Sequence, residues 1–156
     1  MVSVEDLRCC ELFSELTDEE LGLLVPLCQE RVYEAGETIF SAQETAEELY
    51  ILQEGRVALQ IQLRSAVERS GDVTIEEVEP GNIFGWSSVV KQQRFTATAR
   101  ALERTKVCAI PAGDLNALFS QHTHIGFVVM KQLANVISSR LRHTREELER
   151  RAAANG

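Results

Sequence analysis

Three observations predict a mainly β, α+β fold. Apolar residues recur with a helical period at both ends of the chain. The middle half is a series of short alternating runs punctuated by glycine. No apolar run approaches the ~18 residues that a membrane span needs. The expected architecture is an antiparallel β-roll or jelly roll, flanked by N-terminal helices and a long C-terminal helix, in one domain over residues 1–149. The 156 residues suffice to bury a core, and 44% apolar with 26% charged residues is ordinary for a globular protein. Aromatics are only 6%, so aliphatic side chains must do most of the packing.

Residues 4–30 read as helix. Thr17-Asp18-Glu19-Glu20 is a capping box, in which the Thr17 hydroxyl accepts from the Glu20 amide and the carboxylate returns the bond. Leu21, Leu24, Val25 and Cys28 follow at helical spacing, and Pro26 ends or kinks the run. Strand patterns occupy residues 31–110. Arg31–Glu34, Thr38–Phe40 and Glu48–Leu52 are separated by turns, the first at Gly36, and Gly55 follows the third. Arg56–Leu63 alternates as a half-buried strand does, polar Arg64–Asp72 suits a hairpin tip, and Val73–Val78 returns. Phe95–Leu102 and Thr105–Ile110 close the series. Pro111-Ala112-Gly113-Asp114 starts a short helix reaching about Gln121, and a long helix follows from about Thr123. Residues 150–156 are expected to fray.

Met130, Leu133, Ile137, Leu141 and Leu148 form a narrow apolar stripe on the long helix, with Thr144 between the last two. Two burials are open to it, the same chain's roll or a second copy. A homodimer through residues 128–148 is the expectation.

Net charge is −8, although residues 140–151 hold five arginines and three glutamates, so the remainder is more acidic than the whole. Such a body repels a polyanion, and nucleic-acid binding is not expected. The first residues lack the basic and apolar regions of a signal peptide, so the expected location is cytoplasmic, with no membrane contact. Cys9, Cys10, Cys28 and Cys108 contain no C-x-x-C pair, and His122, His124 and His143 have no carboxylate or cysteine at ligand spacing. No metal site and no catalytic motif are expected, so the chain is not read as an enzyme. A redox sensor at Cys9 or Cys10, or a haem ligand at Cys108 or a histidine, is the alternative, and the spacing singles out none of them.

Several segments together resemble the cyclic-nucleotide-binding domain family. Glu34–Phe40 is similar to its glycine turn into the second strand, and Leu49–Val57 to its core strand and turn. Pro80-Gly81-Asn82-Ile83-Phe84-Gly85 resembles its "Pro-Gly-Asp-x-Phe-Gly" lead into the phosphate-binding cassette, here residues 80–98. Thr98-Ala99-Arg100-Ala101 and Ser139-Arg140-Leu141-Arg142 fit its late strand and terminal helix. The resemblance covers roughly residues 10–148 and implies eight strands.

It also implies a ligand site. In the family, a short helix after Phe84-Gly85 offers amides to a cyclic phosphate, which Gly85, Ser87 and Ser88 are placed to do. The glutamate that follows the glycine and accepts from the ribose is replaced by Trp86, which accepts no hydrogen bond. The arginine ten residues beyond the glycine is replaced by Phe95. Arg94 sits one residue early, on the opposite strand face unless a bulge intervenes. Thr96 and Thr98 are further lining candidates, and Thr144 matches a base-contacting threonine of the bacterial cyclic-AMP receptor or is a polar residue of the dimer stripe.

Three readings compete. The first is a regulatory sensor of another ligand, with an apolar or stacking pocket at Trp86 and Phe95 and with Ser87, Ser88 and Arg94 for an anionic end. The second is a cyclic-nucleotide module of reduced affinity, and the third a ligand-free dimerisation module acting on a protein effector. Large side chains at both polar anchors favour the first and third. No cofactor is expected, with a cyclic nucleotide as the alternative.

Overall fold

The computed structural model describes residues 1–63, 71–90 and 94–155, and among these it contains eight strands in two four-stranded antiparallel sheets. The strands are β1 (Gln29–Tyr33), β2 (Thr38–Phe40), β3 (Glu48–Glu54), β4 (Val57–Leu63), β5 (Gly71–Val78), β6 (Ile83–Phe84), β7 (Thr98–Ala101) and β8 (Thr105–Pro111). One sheet runs β1-β8-β3-β6 and the other β2-β7-β4-β5. Helices α1 (Val4–Arg8) and α2 (Asp18–Leu24) precede them, α3 (Ser87–Val90) lies in the cassette, and α4 (Ala112–Gln121) and α5 (Thr123–Asn155) follow. The α+β roll expected from the sequence is thus present.

Period-two alternation explains how the first sheet is buried on both faces. Tyr50 and Leu52 of β3, with Val107 and Ala109 of β8, point into the roll. Leu49, Ile51, Cys108 and Ile110 point out, onto a second core supplied by α1, α2, α4 and α5. Gly55 sits at φ +95° in the β3–β4 turn, where a Cβ would come within 2.5 Å of Thr105 Oγ1, so only glycine fits there.

Three expectations need correction. Residues 4–30 are not one helical region: α1 and α2 are separated by tight turns in which Cys10, Phe13 and Leu16 each donate to the carbonyl three residues back. Those turns aim Cys10, Leu12, Phe13 and Leu16 into the core. Both helices open on capping boxes, Ser3 with Asp6 and Thr17 with Glu20, and α2 gives way to a short 3-10 turn containing Pro26. Secondly, α5 does not fray at residue 150. Glu147 pairs with Arg150 and Arg151, alanines follow, and the helix continues to Asn155.

Thirdly, Leu133 is 1% exposed and belongs to the chain's own core, so it is no part of an outer stripe. The first half of α5 carries two apolar faces that the sequence reading merged. Ile125, Val129, Leu133 and Val136 face the body. Phe127, Met130, Leu141 and Leu148 are exposed, as is Thr144, and Ile137 lies half-buried at the border. The hairpin tip expected at Arg64–Asp72 falls outside the described residues apart from Gly71 and Asp72, which are paired in β5.

Candidate functional site

β6 ends in Phe84, buried in the roll and stacked on Tyr50 at 5.2 Å. Gly85 follows at φ +77° and turns the chain into α3. A Cβ there would press to 3.1–3.3 Å on the Tyr50 ring, the Glu48 carbonyl and the Phe95 ring. The cassette backbone therefore lies directly on an aromatic cluster. Phe95 is 4% exposed and stacks on Phe40 with ring centres 3.7 Å apart and planes 15° apart.

The carbonyl of Gly85 accepts from the Ser88 hydroxyl at 2.8 Å and from the Ser88 amide at 3.3 Å. That amide, expected to face an anion, is thus turned back onto the turn itself. Ser87 is half-buried at the start of α3. Gly85, Trp86, Ser87, Phe95 and Thr96 do come together, with Phe40, Leu59 and Ala97, around a cleft of about 70 Å³. Ordinary small-molecule sites measure roughly 300–1,000 Å³.

The other candidates lie elsewhere. Arg94 is exposed, and its Nη1 donates to the Gln43 carbonyl at 2.8 Å, so the cation points away from the roll. Its backbone bridges to Thr45. Thr98 alternates with inward Ala97 and Ala99, and its hydroxyl accepts from the Ala42 amide on the outer face. Thr144 is exposed, donates to the Arg140 carbonyl at 3.0 Å, and borders a separate cleft of about 710 Å³ between β5 and α5.

The structure adds three residues that sequence reasoning missed. Arg140 of α5 stacks its guanidinium over the Trp86 ring at 4.8 Å. Its Nε lies 2.9 Å from Glu76 Oε1 and its Nη2 3.0 Å from Glu11 Oε2. Burial pushes the Glu76 carboxyl up, against the pull of Arg140. A signal existed: Arg140 continues the spacing of Ile125, Val129, Leu133 and Val136, and a cation on an apolar stripe needs partners. Glu76 likewise shares its parity on β5 with inward Val78.

The thiols and histidines add no second site. Burial pushes Cys10 up to about 12, which keeps it a neutral thiol, and Cys108 is also raised, through its contact with Cys28 and burial. No three metal-ligating side chains converge among the described residues, and none of their helices is long and apolar enough to cross a membrane.

Comparison with known proteins agrees with this geometry. The family model described as "Cyclic nucleotide-binding domain" matches residues 30–122. The cyclic AMP receptor protein of Thermus thermophilus is 30% identical over 138 residues, 88% of this chain and 60% of its own length. The chain spans only 26% and 19% of two further curated relatives. Among solved structures, one from Geobacter metallireducens GS-15 is 33% identical, with a TM-score of 0.75 over 90% of this chain and 99% of that one. The Thermus thermophilus catabolite activator protein is 29% identical, with a TM-score of 0.72 over 91% of this chain and 63% of that one. With the family model matching more than half of its length, the chain belongs to the cyclic nucleotide-binding domain family.

Proposed function

We propose that this chain is a non-catalytic regulatory module of the cyclic nucleotide-binding type whose cassette no longer takes a cyclic nucleotide in the family's manner. One observation carries the reading: Phe95 stacks on Phe40 against Gly85, while Arg94 is drawn outward by the Gln43 carbonyl. An anion at this turn would meet an aromatic edge, with the Arg94 guanidinium turned away. Losing a charged hydrogen-bond partner removes ~1.5–3 kcal/mol, about one to two decades in affinity. With Trp86 in place of an acceptor as well, submicromolar binding of cyclic AMP or cyclic GMP is not expected. The ligand, where one binds, is small and apolar at the Trp86–Phe95 cleft.

The module works as a homodimer in this reading. Phe127, Met130, Ala134, Ile137, Leu141, Thr144 and Leu148 follow alternating steps of three and four along the outward side of α5, the spacing of a coiled-coil seam. A second copy of α5 is the occupant that such a seam fits.

A weaker cyclic-nucleotide module is the second reading, favoured by the retained φ +77° turn at Gly85 and by the likeness to a cyclic AMP receptor. Calorimetry on the wild type and on a Trp86→Glu, Phe95→Arg double variant separates the two. The proposal expects no measurable cyclic-AMP binding by the wild type and a gain by the variant. A submicromolar wild-type dissociation constant overturns it.

A further inference from the structure

The β2-β7-β4-β5 sheet is apolar on its inner face and polar on its outer one. Leu59 and Ala99 point into the roll, so Gln60 and Thr98, which pair across β4 and β7, point out. Two positions along β7, Arg100 pairs with Thr38 of β2, and at the other end of β4 Gln62 pairs with Asp72 of β5. These side chains line an open groove of about 680 Å³, within the ~300–1,000 Å³ of ordinary small-molecule sites. Among the described residues it shares only Thr96 with the cleft of about 70 Å³ at Trp86 and Phe95.

One wall of the groove is fixed by hydrogen bonds. The Ala42 amide donates to the Thr98 hydroxyl at 2.9 Å, the Gln43 amide to the Phe95 carbonyl at 2.9 Å and the Glu44 amide to the Ser41 carbonyl at 3.1 Å. Gln43 alone among the described non-glycine residues has a positive φ, +76°, an unfavourable conformation that these bonds hold in place. A wall ordered in advance lowers the entropic cost of taking a ligand.

Arg100 supplies the charge. Glu77 lies across Ala58 from it on the same face, but that carboxylate pairs with Arg56. The Arg100 Nε is buried and has no hydrogen-bond partner among the described residues. Such a donor is unfavourable, and turning the planar fork onto an oxyanion in the groove relieves it. Most of the remaining lining is neutral and polar: Gln43, Gln60 and Gln62 offer amides, and Thr38, Ser41 and Thr96 offer hydroxyls. No aromatic ring of the described residues lines the groove, so it has no stacking platform for a purine. Arg100 and Asp72 mark its two ends, since their β4 partners Ala58 and Gln62 stand ~13 Å apart at strand spacing.

We propose that this groove binds a sugar acid, a polyhydroxylated carboxylate, with the carboxylate on Arg100 and the hydroxyls on the glutamine amides and the threonine and serine hydroxyls. The proposal goes beyond the regulatory reading above and does not rest on it. Cyclic-nucleotide binding at the cassette and sugar-acid binding at the groove are measured separately, so either can fail alone.

The test is calorimetry on the full chain with D-gluconate and D-glucuronate, and with sorbitol as the uncharged analogue. Saturable binding of at least one acid at millimolar concentrations is expected, with sorbitol about tenfold weaker or undetected. Arg100→Met keeps the hydrocarbon stem and should weaken the acid about ten- to hundredfold, the loss of a charged hydrogen-bond partner. Gln60→Glu keeps Arg100 and sets a like charge in the groove, so it should weaken the acid as well. No saturable binding of either acid by the wild type at millimolar concentrations overturns the proposal. So does equal affinity for sorbitol, or undiminished acid binding by either variant when its denaturation midpoint matches the wild type.

Discussion

Phe95 closes the roll where the family's arginine would open it to a phosphate. Its ring is buried against Phe40 and against Gly85, so truncation leaves a cavity in the aromatic cluster. Phe95→Ala should destabilise the fold by ~3–5 kcal/mol, read as a fall in the denaturation midpoint. Gly55→Ala meets a different obstacle, because its Cβ would sit 2.6 Å from the Arg104 carbonyl at a left-handed φ. A loss of ~1–3 kcal/mol is expected there by the same measurement. At this scale the sequence was readable wherever a residue broke a motif. Trp86 and Phe95 stood out against the glycine turn, whereas Arg94, a candidate for the pocket, faces outward. Arg140, Glu11 and Glu76 were not readable as a group, since 129 positions separate Arg140 from Glu11 and only the tertiary fold brings them together.

Among the elements, α2 was legible to the residue at its start, because a capping box is a local arrangement with its own hydrogen bonds. Thr17→Ala should cost about 1 kcal/mol. The turns between α1 and α2 were not legible, since their apolar spacing imitates a helix while the core dictates tight turns. The merging of two faces on α5 has the same origin: periodicity reports that a side chain is apolar, not which surface covers it.

The elements also respond to acid in a predictable order. The Ser3 amide and hydroxyl hold Asp6 below its ordinary value, and the Thr17 amide, then His124, do so for Glu20. A depressed carboxyl stabilises the fold above the ordinary carboxylate range and loses that contribution as pH falls through its folded value. Glu76 is the reverse case. It faces Arg140 and His143 from α5 and Glu11 from the N-terminal turns, and its burial raises the folded value. Charged Glu76 therefore opposes folding, and that opposition is relieved as pH falls, while its pair with Arg140 is lost. On acidification, hydrogen–deuterium exchange in α1 and α2 should therefore rise before exchange in α5. The opposite order would contradict these assignments.

For the whole molecule, the roll-and-helix order followed from the sequence because period, glycine turns and strand spacing agree with one another. What the assembled molecule does with α5 is the larger question. The seam through Leu141 and Leu148 predicts a dimer at tens of micromolar by equilibrium sedimentation, and Leu141→Glu with Leu148→Glu should yield a folded monomer. A monomeric wild type would contradict the seam.

The altered cassette is the centre of the account, and Trp86 is the chain's single tryptophan. Its emission, followed while cyclic AMP, cyclic GMP and a panel of small anionic and apolar metabolites are titrated, reports on the cleft directly. No saturable change is expected with either cyclic nucleotide below micromolar concentrations. A saturable change with cyclic AMP in the submicromolar range would contradict it.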